Sequence, residues 1–178
     1  MNRLPVFALG LLLVGIFLSD TAWSKGAITK IVIKSDRMSK PLEITDREIL
    51  NRFTIWVGPG VGGWDTRNSM ATSVTPNFIV DWASPLPDDP RTAKERRADP
   101  HVYLVTFFID GREAPRNTYQ VLYEVDNSVP RGYVYIPAHP TDDFGQWNTF
   151  QISRGVEGRW FYSTKEWDRV ARPLMDKE

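Results

Sequence analysis

The chain has 178 residues, 22 lysines and arginines against 22 aspartates and glutamates, a formal net charge of zero and no cysteine. Balanced charge gives no electrostatic pull towards nucleic acid or an anionic membrane. The lack of cysteine excludes disulfides, thiolate metal sites, a cysteine nucleophile and the lipidated cysteine of a lipoprotein.

Residues 1–24 read as a signal peptide. Arg3 supplies the positive n-region, and FALGLLLVGIFL (Phe7 to Leu18) an apolar core too short to span a bilayer comfortably. Ala22 and Ser24 occupy the small-residue positions of a cleavage after Ser24. An uncleaved membrane anchor is the alternative. The mature chain, 25–178, fits a single domain with a real core and carries no second apolar span. The expectation is a soluble protein of the periplasm or the exterior, with no membrane association after cleavage, stabilised by its core rather than by disulfides.

Ala27 to Ser35 reads as a strand with Ile31 and Ile33 on one face, and Pro41 to Thr45 as a second, joined as a hairpin through DRMSK. Thr45 and Glu48 have the spacing of a capping box, flanked by Ile44 and Ile49 at the staple positions. Ile49, Leu50 and Phe53 then share a helical face, and Gly58-Pro59 must stop the helix. A short helix followed by a strand competes with this, since Phe53, Ile55 and Val57 also alternate. Asn77 to Trp82 reads as a strand. Ser84 to Pro100, with four prolines and mixed charges, reads as a long mobile surface loop, with a functional lid as the sharper alternative.

The middle of the chain is strongly β. His101 to Ile109 is apolar on both faces and suits a central strand. Thr118 to Asp126 alternates, with Tyr119, Val121, Tyr123 and Val125 on one side. Gly132 to Pro137, Thr149 to Arg154 and Gly158 to Tyr162 continue the pattern, with turns at Asp110-Gly111 and Pro130 to Gly132. Ser163 and Glu166 repeat the capping-box spacing, with Tyr162 and Trp167 as staple. Trp167, Val170, Ala171 and Leu174 line a final helix that Pro173 should end or bend. The expected fold is α+β: a mainly antiparallel sheet with one or two short helices packed on it. A β-sandwich is the alternative.

Three segments carry a resemblance: Pro41-x-Glu43-Ile44-Thr45-Asp46, Phe53-x-x-Trp56-x-Gly58-Pro59-Gly60, and Gly158-x-Trp160-Phe161-Tyr162. Together they resemble a group of secreted bacterial proteins of uncharacterised function. The resemblance covers about a quarter of the chain. It implies bacterial export and a single domain, and brings no activity or site residue with it.

For chemistry, the glycine cluster Gly58, Gly60, Gly62 and Gly63 suggests a phosphate loop on paper. Gly63 is followed by Trp64-Asp65 instead of Lys-Ser/Thr, and no apolar helical face follows, so a nucleotide cradle is not expected. His101 and His139 are the only histidines. The loop His139, Asp142, Asp143 could offer metal ligands but is more simply turn chemistry, so neither a metal nor a cofactor is expected. Glu124 and Asp126 point to one face of a strand about 7 Å apart, a spacing compatible with glycoside hydrolysis. Asp142 and Asp143 are the other candidate pair, and a solvated sheet face explains the Glu124 and Asp126 pattern more simply. There is no Gly-x-Ser-x-Gly elbow.

Tryptophan is over-used, at seven residues with Trp23 in the signal peptide. Trp56, Trp160 and Trp167 read as core. Trp64, Trp82 and Trp147 stand at glycine, proline or polar borders, where a ring can stack on a sugar or on a partner, with Asp65 as a neighbouring hydroxyl acceptor. The competing reading is that these rings cap the sheet ends. The functional expectation is an exported, non-enzymatic binding or interaction module for a small molecule, glycan or protein, with Trp64, Asp65, Trp82 and Trp147 as the contact set. A carboxylate-dependent hydrolase acting on glycan is the alternative.

Overall fold

Strand alternation and two short amphipathic segments dictate the architecture of the computed structural model, which describes residues 26–59, 61, 77–86, 101–114, 117–126, 129–138, 148, 152 and 155–176. In chain order the elements are β1 (Ile28–Lys34), β2 (Leu42–Ile44), α1 (Arg47–Leu50), β3 (Val80–Pro85), β4 (His101–Ile109), β5 (Thr118–Val125), β6 (Tyr133–Ile136), β7 (Arg159–Ser163) and α2 (Lys165–Met175). The strands form one seven-stranded sheet in the order β2-β1-β4-β5-β6-β7-β3, antiparallel at every pairing. The fold is therefore α+β, as the sequence pattern implies, with a single sheet among the described residues.

Alternation sorts the side chains of the sheet. Tyr103, Val105 and Phe107 of β4 stand opposite Tyr123, Val121 and Tyr119 of β5, and with Ile31, Ile33, Val134, Ile136 and Phe161 they make the main core. The helices close that core. Trp167 of α2 is fully buried, edge-on to Tyr123 at 5.9 Å and to Phe53 at 5.2 Å, and Leu50 of α1 joins the same cluster. The sequence assigns Trp167 and Trp56 to the core, and both are buried. On the opposite face a smaller cluster forms from Leu122, Tyr133, Tyr135 and Trp160, in which the Tyr135 and Trp160 rings lie 5.1 Å apart.

Several details differ from the sequence reading. Both helices start one residue later than the capping boxes imply. The N-cap of α1 is Asp46, not Thr45: its carboxylate accepts from the amides of Glu48 (2.7 Å) and Ile49 (3.3 Å). The N-cap of α2 is Thr164, not Ser163: its hydroxyl accepts from the Trp167 amide at 3.2 Å. Ser163 cannot cap because it is the last residue of β7, with its amide donating to the Gly132 carbonyl and its side chain turned to the buried network described below. Helix α1 is a single turn that does not reach Gly58. The chain after it is neither helix nor strand, although Phe53 forms a parallel bridge to Asn77 and buries itself with Ile55. Strand β3 starts at Val80 rather than Asn77 and runs on to Pro85, which an edge strand tolerates. Of the two outcomes expected at Pro173, an end or a bend, the helix does not end there, since α2 runs on to Met175. Glu124 and Asp126 are 1% and 8% exposed, so the solvated face expected for them is not observed: the smaller aromatic cluster occupies that side of β5. Residues 87–100, and all but Ile152 of 149–154, lie outside the described residues.

Candidate functional site

Helix α2 is fastened to the sheet through one carboxylate. Asp168 lies one turn into the helix, faces inward and is 6% exposed. It accepts from the Tyr123 hydroxyl at 2.6 Å, from the Ser163 hydroxyl at 2.7 Å and from the Gly132 amide at 3.3 Å. The Arg172 Nε stands 3.8 Å from the same carboxylate. A carboxylate this buried is tolerated only when its oxygens are occupied by donors and its charge is met. Strands β5, β6 and β7 each contribute to that set, either within the strand or at its entry. Gly132 has to be glycine, because a Cβ there would lie 2.4 Å from the Tyr123 ring. Burial, the Asp168 charge and the hydrogen bond to it all push the Tyr123 hydroxyl well above the ordinary tyrosine range.

A second set of bonds locks the turn before β6. Arg131 donates from Nη2 to Asp81 of β3 at 2.7 Å and from Nε to the Ser163 carbonyl at 3.0 Å, and its guanidinium lies 4.9 Å from the centre of the Tyr162 ring. Burial alone would raise the Asp81 carboxyl. The hydrogen bonds from Arg131, Ser84 and the Ala83 amide outweigh it and hold Asp81 below the usual carboxylate range. On the other side, Arg172 donates from Nη1 to the Val129 carbonyl at 3.2 Å, so the 129–131 segment is tied both to β3 and to α2.

Between that segment and the outer side of α2 lies an open groove of about 510 Å³. Pro130 and Arg131 form one wall, Lys165, Arg169, Arg172 and Pro173 the other, and Asp168 sits at its floor. The volume falls within the range of small-ligand sites, roughly 300–1,000 Å³. Its charges are unequal in availability. Asp168 is met by Arg172, and Arg131 by Asp81. Lys165 and Arg169, four residues apart on one helical face, have no acidic partner among the described residues. Lys165 is also the first residue of α2, where the helix dipole disfavours a cation. Glu166 and Asp168 lie in the same first turn and suit the dipole there, so Lys165 stands out for its place in the groove wall. Pro173 has no amide hydrogen, so α2 lacks the usual hydrogen bond from position 173 to the Arg169 carbonyl.

Trp82 is half-buried in β3. Its ring stacks on Phe78 at 5.8 Å, meets Phe161 edge-on at 5.4 Å, and lies over Gly58 so closely that a Cβ there would come within 2.5 Å of it. Gly58 has φ 132°, so the first glycine of the cluster supplies both a left-handed backbone and a seat for Trp82. The Trp82 Nε1 is buried with no hydrogen-bond partner among the described residues. Trp64, Asp65 and Trp147 lie outside the described residues, as do His139, Asp142 and Asp143. His101 opens β4, its Nδ1 3.4 Å from the Tyr103 hydroxyl. Among the described residues no cluster of three or more histidines, aspartates or glutamates is placed to hold a metal ion. No described helix is long and apolar enough to cross a membrane.

No protein-family model, curated protein or solved structure matches the chain. The site therefore has to be judged on its own chemistry. Reading the sequence for aromatic rims passed over Lys165, Arg169 and Arg172. The available signal was their spacing, since they recur on the helical side away from Trp167 and Ala171.

Proposed function

We propose that the chain is an exported, non-enzymatic binding module whose ligand enters the groove between α2 and the 129–131 segment. The observation that carries this reading is the division of labour in α2. Asp168 and Arg172 are committed to holding the helix, while Lys165 and Arg169 face an open groove without a described acidic partner. The signal-peptide pattern at Arg3, Phe7 to Leu18, Ala22 and Ser24, together with the resemblance to secreted bacterial proteins, supports export to the periplasm or the exterior. An aromatic rim at Trp64 and Asp65, with Trp147, would add contacts for a sugar or a protein partner. The test is affinity retention of soluble glycan and metabolite mixtures on the immobilised mature chain, followed by mass analysis of what elutes. Recovery of an unchanged ligand fits the reading, and release of a cleaved product contradicts it.

A second reading, a carboxylate-dependent glycan hydrolase, is favoured by one observation. Glu124 is a carboxylate only 1% exposed, in register with Tyr133 on the aromatic face of the sheet. Reducing-end release from peptidoglycan or a polysaccharide, abolished by Glu124→Gln in a folded variant, would establish it.

A further inference from the structure

We propose that the groove is an anion site, taking a compact ligand that carries a carboxylate or a phosphate group. The inference rests on the binding-module reading above and names the ligand class of the same groove.

Charge, shape and hydrogen-bonding capacity point the same way. The cations lining the groove are Arg131, Lys165, Arg169 and Arg172, against Asp168 as the one carboxylate in the lining. Among the described residues, Asp81 answers Arg131 and Asp168 answers Arg172, which leaves Lys165 and Arg169 of the lining, both on side chains long enough to converge on one group. The amino end of α2 adds its positive dipole end beside Lys165. Arg169 presents a planar fork suited to a carboxylate or phosphate, and Lys165 a compact point charge. Pro130 and Pro173 give the groove apolar walls, so the charged group is held at one end while an aliphatic or ring-shaped body lies along the other. A sugar acid or a sugar phosphate uses both the cations and the apolar walls, whereas a neutral sugar uses only the walls.

The groove is built to be rigid before binding. Asp168, Tyr123 and Ser163 fix α2, and Arg131 with Arg172 fixes the 129–131 segment. Little ordering is then needed when a ligand arrives, which is the condition under which a few charge-assisted hydrogen bonds give useful affinity.

The test uses the full mature chain, isotope-labelled, with backbone amide shifts followed during titration with glucose 6-phosphate, glucuronate, inorganic phosphate and neutral glucose. The expected result is saturable movement of amides at 129–131 and 164–173 with glucose 6-phosphate or glucuronate, weakening as salt is raised, with glucose leaving the same amides in place. A response to glucose 6-phosphate and phosphate alone assigns the phosphate class, and a response to glucuronate alone assigns the carboxylate class. Lys165 and Arg169 are both exposed, so Lys165→Ala with Arg169→Ala should keep the fold and weaken binding at least tenfold. Lys165→Arg with Arg169→Lys, which keeps both charges, should retain most of it. Absence of movement with every anion, or equal affinity in the double alanine variant, overturns the proposal. Retention of a neutral glycan with these amides unmoved would overturn the anion site while leaving the binding-module reading standing. Turnover of an anion bound in the groove would overturn the non-enzymatic reading while leaving the anion site standing.

Discussion

The two sides of α2 use the same kinds of residue for opposite ends. Facing the sheet are Trp167, Asp168, Ala171 and Met175, all buried, and the one charge among them is surrounded by donors. Facing the groove are Lys165 and Arg169, both exposed and without a described acidic partner. The inner carboxylate is costly to bury and is therefore fully engaged. The outer cations are cheap to expose and are left available. Position along one helix thus separates the groups that make the fold from the groups that can meet a ligand, and substitutions on the two sides should fail in different ways.

The largest effect is expected from Trp167→Ala. It empties the space between Tyr123 and Phe53, and should cost about 3–5 kcal/mol of unfolding free energy in a denaturant titration. Asp168→Ala comes next. It leaves the Tyr123 hydroxyl and the Gly132 amide without this acceptor and the Ser163 hydroxyl with only the Gly132 carbonyl, which should cost on the order of 3 kcal/mol, with Asp168→Asn losing less.

The inner side should also respond to alkali. Burial raises the Tyr123 and Tyr119 hydroxyls above the ordinary value of 10.0, with the Asp168 charge adding to the effect at Tyr123 and the Glu157 charge at Tyr119. A group whose folded value is raised contributes stability in full below its unfolded value and loses it as pH rises. Thermal unfolding should therefore be level across neutral pH on their account and fall above about pH 10, and Tyr123→Phe should reduce that fall. Asp81 acts in the other direction. Its lowered value contributes stability above the unfolded value of 3.8 and loses it in acid, a loss that Asp81→Asn should remove.

Smaller effects separate the true caps from the apparent ones. Thr164→Ala and Asp46→Ala should each cost about 1 kcal/mol, the usual loss for an N-cap oxygen, whereas Thr45→Ala should change unfolding by less than about 0.5 kcal/mol. Ser163→Ala should still destabilise, by about 1 kcal/mol, because it removes a buried hydrogen bond to Asp168. The two origins differ in additivity: Ser163→Ala should couple with Asp168→Asn and not with Asp46→Ala.

The same residues show how far the sequence could be read. Period-two alternation in Thr118 to Asp126 and in Ile31 and Ile33 placed the core face of the sheet correctly, because a one-residue slip would expose every ring. The caps were misplaced by one residue because Ser163-Thr164 and Thr45-Asp46 each offer two eligible oxygens. The choice is made by where β7 ends and by the demand of Asp168, both of them long-range facts. Glu124 and Asp126 looked solvent-facing because alternation cannot tell an aromatic second layer from water. Trp82 was recognisable as an unusual residue but not as the partner of Gly58, a contact between positions 24 apart in the chain. The groove was the least legible part. It is formed by a turn and a helix brought together by Asp168, and only the spacing of Lys165, Arg169 and Arg172 hinted at its charged wall.

The separation of the two sides of α2 can be measured with one pair of proteins. Wild type and the Lys165→Ala, Arg169→Ala double variant would be compared for unfolding free energy and for affinity towards the anion, glucose 6-phosphate or glucuronate, that moves the groove amides. The account predicts unfolding free energies within about 0.5 kcal/mol of each other and a loss of affinity of at least tenfold. A variant that loses stability in step with affinity, or one that binds as well as wild type, would contradict it.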